Sequence, residues 1–298
     1  MGKRIFLFIL TNLAIVATLT IVVSLLGLDR AVTDQGLDLR ALALFCFIYG
    51  MGGAFLSLQM SRWIAKRATG VQLVDGRTGN QDLDWLYATV RRLTQQANLP
   101  MPEVGIYNSP EVNAFATGPS KRRSLVAVSQ GLMRAMRHEE VEGVLAHEVA
   151  HIANGDMVTM TLIQGVVNAF VMFLARAIAY AITMSRGNDN ERSEGSPFLF
   201  HAVTMVLEIV FMILGSMVVA WFSRYREYRA DAGGARLAGR DSMISALEAL
   251  RRTVDMVDPE AQPSVAALKI SSRPGGLMRL FSTHPPLEER VARLRSGI

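Results

Sequence analysis

The stretch IFLFILTNLAIVATLTIVVSLLGL, residues 5–28, contains no charged side chain. A helix needs about 20 apolar residues to cross the hydrocarbon of a bilayer, so this run alone directs the chain towards a membrane architecture. Lys3 and Arg4 ahead of it imitate the start of a signal peptide, but the apolar stretch is too long and no small-residue cleavage site closes it. An uncleaved anchor is expected. ALALFCFIYGMGGAFLSLQM, residues 41–60, is a second span, and its G-M-G-G invites close helix packing. Two further runs, 157–184 and 198–222, read as a membrane hairpin. The first of these contains Gln164, Asn168 and Arg176, the second His201 and Glu208. Ionisable groups at membrane depth are costly and face a bundle interior or a wet cavity. True spans are expected, with a partly immersed hairpin as the alternative.

Basic residues bracket these runs. Lys3 and Arg4 precede the first, Arg62, Lys66 and Arg67 follow the second, and Arg224, Arg226 and Arg229 follow the fourth. The loops 29–40 and 185–197 carry only two arginines each. The positive-inside rule then places both termini, residues 62–156 and residues 223–298 in the cytoplasm. The net charge of +5 is spread along these borders rather than gathered in one patch, so nucleic-acid binding is not expected. A single cysteine, Cys46, rules out an internal disulfide framework and a Cys-rich zinc module.

The chain thus divides into two N-terminal transmembrane helices (1–61), a cytoplasmic part (62–156), a transmembrane hairpin (157–222) and a cytoplasmic C-terminal part (223–298). The fold class expected is an α-helical integral membrane protein whose cytoplasmic part is mainly α and carries a small β-sheet. Residues 82–97 read as an amphipathic helix capped by Asp82, with Leu83, Leu86, Val90 and Leu93 as its stripe. Short β-like pieces follow at 103–108, 112–117 and 124–129. A helix runs from about Glu139 to Ala153 and ends at Asn154-Gly155. Further helices are expected at 223–238, 241–256 and 287–296, with a mobile loop at 258–276.

Within the helix near residue 147 lies VLAHEVAHIANGD, with the spacing His147-Glu148-x-x-His151. Positions i and i+4 share a helix face, so both imidazoles reach one ion. Glu148, one position on, stands beside that ion as a general base towards water. Zinc suits two imidazoles, a carboxylate and an open position. A chance match or a buried structural histidine pair is the plain alternative. The extended motif with a third histidine is absent, because Met157 occupies that place. Among carboxylates, Glu191 and Glu194 fall across the membrane and Glu208 lies deep in an apolar run. Glu227 and Asp231, at i and i+4 in SRYREYRADAGG, re-emerge on the correct side. Glu227 completes the site and Asp231 holds a ligand histidine in its tautomer. Taken alone, they would be two surface carboxylates neutralised by the neighbouring arginines.

H-E-V-A-H, then E-Y-R-A-D-A after a hydrophobic hairpin, then S-T-H-P-P-L-E-E-R, resembles the HtpX family of bacterial inner-membrane zinc metalloproteases. The wider group includes the CAAX prenyl protease. The resemblance covers essentially the whole chain, V-N-A-F-A-T-G included. It implies that the mainly α cytoplasmic part with its small β-sheet is a zincin-like protease domain, with one zinc ion held by His147, His151 and Glu227, Glu148 as catalytic base and Asp231 in support. It also implies that His284 and Arg290 lie at the active site, stabilising an oxyanion or anchoring Asp231. The implied activity is quality control of damaged or misfolded membrane proteins under stress, with a tendency to self-cleave.

VNAFATG has its own physical reading. An extended peptide pairs with an exposed strand edge through main-chain hydrogen bonds, whatever its sequence. Residues 112–117 offer such an edge, with Asn113 and Ala114 near the ion, or else an ordinary hairpin strand. Partners are therefore protein substrates and the lipid bilayer. Two rival readings remain: prenyl-peptide processing, for which four apolar segments look too few to build a helical chamber, and a non-catalytic membrane scaffold with a vestigial site.

Overall fold

Asp38 starts the first described helix, its Oδ1 accepting from the backbone N–H of Arg40 at 2.9 Å and of Ala41 at 3.1 Å. The structure, a computed structural model, describes residues 36–184, 197–256 and 280–297, with isolated positions 21, 32 and 33. The apolar run 5–28 and the loop expected at 258–276 lie outside the described residues.

Among the described residues, three helices are long and apolar enough to cross a membrane: α1 (Leu39–Thr69), α5 (Asp156–Met184) and α6 (Pro197–Ala238). Large apolar side chains such as Phe47, Phe55, Val166, Phe170 and Met212 point outwards along them, as suits a lipid surround. The chain forms two compact units. One takes in the chain up to Ser57 together with Thr161–Val219, the other Leu58–Met160 and Ala220 onwards.

In the first unit, β1 (Val32–Thr33) and β2 (Gly36–Leu37) make a two-residue antiparallel pair. The glycines of G-M-G-G serve helix contact here. A Cβ at Gly50 would lie 2.5 Å from the backbone nitrogen of Ala169, so only glycine permits this approach of α1 to α5. Arg176 and Glu208, the ionisable pair of the hairpin, meet in a short ion pair, with the Phe45 ring 5.7 Å from the guanidinium.

The second unit holds a four-stranded sheet of β3 (Gln72–Val74), β4 (Glu103–Tyr107), β5 (Ala114–Ser120) and β6 (Arg123–Ser129), in the order β3-β4-β6-β5. β4 and β6 are parallel, with Val104 opposite Val126. β5 runs antiparallel to β6, with Ala114 opposite Val128, and its other edge is unpaired within the sheet. Helix α2 (Gln81–Gln96) buries Leu86, Val90 and Leu93. Its cap is Asn80 rather than Asp82. Asn80 Oδ1 accepts from the N–H groups of Asp82 and Leu83 at 3.0 and 3.2 Å, so Asp82 already lies inside the first turn.

A short helix, α3 (Gln130–Ala135), leads into α4 (His138–Asn154). Every α4 residue from Val144 to Ile152 is buried. Val144, Leu145, Val149 and Ile152 share one core with Leu86 and Leu93 of α2, Val126 and Val128 of β6, and Met243 and Leu247 of α7 (Arg240–Met256). Each such side chain is worth about 1.5–3 kcal/mol in apolar burial, which makes α4 a rigid support. Gly143 admits α7, since a Cβ there would meet the Ser242 carbonyl at 2.5 Å. α4 stops at Gly155, left-handed at φ 71°, and α5 begins at the next residue. α6 runs unbroken from the fourth apolar run through EYRADA. The arginines at 224, 226 and 229 change the preferred solvent, not the helical backbone. α8 (Leu287–Ser296) closes the described chain.

Candidate metal centre

The i, i+4 spacing on α4 sets the rings of His147 and His151 side by side, both buried, with their Nε2 atoms 3.0 Å apart. Glu227 comes from α6 and is wholly buried. Its Oε2 lies 3.4 Å from His147 Nε2, and its Oε1 lies 3.3 Å from His151 Nε2. One ligand atom from each of the three falls within 4.8 Å of the others, a set able to hold a metal ion.

The Nδ1 atoms show why this set suits a cation. His147 Nδ1 is 3.0 Å from Asp231 Oδ1, and His151 Nδ1 is 2.6 Å from Asp156 Oδ2. Ionised carboxylates only accept, so each Nδ1 keeps its hydrogen and each Nε2 offers a lone pair to the shared space. Two imidazole lone pairs and a carboxylate then converge on one point, and only a cation or a proton satisfies them. Without a metal, protons are drawn in. Burial pulls the His147 pKa down, but the Asp231 and Glu227 carboxylates outweigh it and raise it to about 9. His151 is raised against the same burial, first by Glu227. Burial would raise Glu227, yet His284 and His151 hold it well below the carboxylate range.

The remaining residues flank this cluster. Arg290 of α8 is only 1% exposed. Its Nε and Nη2 donate to the two oxygens of Asp231 at 2.8 and 2.6 Å, a bidentate fork. Its Nη1 is 3.7 Å from Glu227 Oε2. The fork holds the Asp231 carboxylate in place. His284 Nδ1 lies 2.8 Å from Glu227 Oε2, and Arg224 holds its loop by donating to the Ser282 carbonyl at 2.8 Å. Glu148 is buried beside His147 with no hydrogen-bond partner among the described residues. Ala114 opens β5, the edge strand that packs on α4. The Asn113 N–H donates to Ser129 Oγ at 3.1 Å and the Ser129 N–H donates to the Asn113 carbonyl at 2.9 Å, while the buried Asn113 Oδ1 has no partner among the described residues. No hydrogen bond links Asn113 or Ala114 to the three-residue set among the described residues.

Two features escaped the sequence reading, Asp156 and a glycine pair, and a third, the pairing of Arg226 with Glu227, entered it only as the plain alternative. Asp156 follows a helix end read only as a stop signal. Arg226 Nη2 lies 3.3 Å from Glu227 Oε1. Gly233 and Gly234 let α6 lie directly on α4. A Cβ at Gly233 would meet Ala150 Cβ at 2.7 Å, and one at Gly234 would meet the His147 nitrogen at 3.1 Å. Gly233→Ala should therefore push α6 away from α4, costing about 1–3 kcal/mol of stability by overpacking. Calorimetric unfolding together with metal content checks this, and both should fall.

A helix carrying two histidines and a glutamate, completed by a buried carboxylate from another helix in a chain with membrane-type spans, defines a membrane metalloprotease. The model of peptidase family M48 matches residues 80–298, and the chain belongs to that family. Over 295 residues the chain is 53% identical to a protein named Protease HtpX homolog from Paracidovorax citrulli, covering 99% of each. It is 53% identical over 298 residues to Protease HtpX of Thioalkalivibrio sulfidiphilus, again covering 99% of each. In fold it is similar to the crystal structure of S. mikatae Ste24p, with a TM-score of 0.65 at 16% identity, covering 99% of this chain and 67% of that one.

Proposed function

We propose that this metalloprotease is a zinc endopeptidase that cleaves misfolded or damaged membrane proteins at the cytoplasmic face of a bacterial inner membrane. The observation that carries the reading is the convergence of His147, His151 and Glu227 with Glu148 beside them. His147, His151 and Glu227 would hold the ion. When bound, zinc supplies Lewis acidity towards water and the scissile carbonyl. Glu148 takes the proton of the attacking water and passes it to the leaving amine, without an acyl-enzyme stage. Asp231, clamped by Arg290, fixes His147 with Nε2 turned to the site. His284 steadies Glu227 through the 2.8 Å contact to Oε2. The free edge of β5, with Asn113 and Ala114 at its start, would take the substrate backbone as an added strand. Recognition through main-chain hydrogen bonds fits a substrate class defined by being unfolded rather than by sequence.

Siting rests on charge. Lys and Arg cluster where residues 62–156 and 223–298 meet the apolar runs, which supports a cytoplasmic site and cytoplasmic termini. A periplasm-active reporter should be silent when fused after Arg67 and active near Gln35. The catalytic proposal is tested by metal analysis of the purified protein beside casein digestion with and without chelator. One zinc per chain and chelator-sensitive digestion are expected. A farnesylated peptide cleaved in preference to casein would favour prenyl-peptide processing, and zinc-loaded protein inert towards both would favour a scaffold.

A further inference from the structure

We propose that Asp156 is a positioning residue for the metal site, fixing His151 as the stronger of the two imidazole donors. The inference rests on the metal reading of His147, His151 and Glu227. Asp156 is 3% exposed, and its Oδ2 lies 2.6 Å from His151 Nδ1. The local backbone is built for this contact. Gly155, left-handed at φ 71°, ends α4 and donates to the Ile152 carbonyl at 3.1 Å. The chain turns at once, and the first residue of α5 brings its carboxylate back onto the ring five positions earlier.

The two ligand histidines are supported differently. The carboxylate behind His147 is Asp231, whose charge is spent on the Arg290 fork. No basic side chain forms an ion pair with Asp156 except His151 itself, among the described residues. Burial keeps water from screening the contact between Asp156 and His151. A full carboxylate charge on Nδ1–H raises the basicity of Nε2 and locks the ring plane, whereas a carboxylate already neutralised by a guanidinium does so less. His151 is therefore the donor that governs retention of the ion, and Asp156 governs His151. A purely structural role, an acidic residue at a helix start, would stabilise α5 and leave metal affinity untouched.

The test uses the full-length protein in detergent, with Glu148→Gln in every sample to suppress proteolysis. Asp156→Asn preserves shape and an acceptor oxygen but removes the charge, and Asp156→Ala removes both. Zinc affinity is read by competition with a chromophoric chelator, and the absorption bands of Co2+-loaded protein report the ligand field. Asp156→Ala should lose about 10–100-fold in zinc affinity, with Asp156→Asn between it and the parent. The Co2+ bands should shift in both, while the metal-free proteins unfold at the parent midpoint. Parent-like affinity and Co2+ bands in both variants would overturn the inference. So would equal affinity losses matched by a lowered midpoint of the metal-free protein, since that marks packing. If the parent itself holds no zinc, the metal reading has failed and Asp156 falls with it. If the parent binds and the variants match it, only the Asp156 inference fails.

Discussion

Glu148→Ala protein should keep its zinc and lose proteolysis by roughly 10²–10⁴-fold, the usual contribution of a positioned general base. The separation of the two effects follows from geometry. The three converging ligand atoms belong to His147, His151 and Glu227, and Glu148 is not among them. Its carboxylate also has no hydrogen-bond partner among the described residues, so its removal orphans no donor. Metal analysis and casein digestion on the same preparation check the outcome. Zinc-loaded mutant digesting casein at the parent rate would sink the assignment of Glu148 as base.

Glu227→Ala should lose most of its zinc near neutral pH and unfold more readily. Removing this carboxylate takes away one of the three proposed ligands and also leaves Arg226, Arg290 and His284 without their shared anion. Breaking a buried ion pair from one side costs about 3–5 kcal/mol. Glu227→Gln separates the parts, keeping the packing while weakening the ligand. Glu208→Ala is the control, because the ion-pair partner of Glu208 is Arg176. Stoichiometric zinc in the Glu227 variants and its loss in Glu208→Ala would reverse the ligand assignment.

The parts of this architecture set by period and hydrophobicity could be read from the residues. Leu86, Val90 and Leu93 mark α2 by spacing, and the apolar character of Leu125–Val128 marks β6. Paired histidines at i and i+4 announce their own face. Features set by close approach could not be read in this way. Gln72–Val74 has too few residues for a pattern, and its partner Val104–Ile106 is distant in sequence. Gly143, Gly233 and Gly234 look like weak points in helices until the helix opposite is known. Asp156 gave no signal, because nothing in its spacing shows that a left-handed glycine folds it back on His151. Asn80, two residues ahead of Asp82, explains the misplaced cap. Asp84 Oδ1 is already engaged by the Thr78 N–H at 2.9 Å, and Asn80 caps ahead of both.

The residues of the candidate metal centre come from four stretches: α4, the first residue of α5, the far part of α6, and the segment from His284 to Arg290. Arg290 and His147, in contact at 3.4 Å, are separated by 143 positions. A ribosome emits His147 and His151 long before Glu227, and Arg290 later still. During synthesis the histidines therefore wait without their carboxylate, and Asp231 without its clamp. The three-residue set is complete only once Glu227 of α6 has been made, and the Asp231 fork only once Arg290 of α8 has followed, so an unfinished chain carries the histidines without the groups that would let them work.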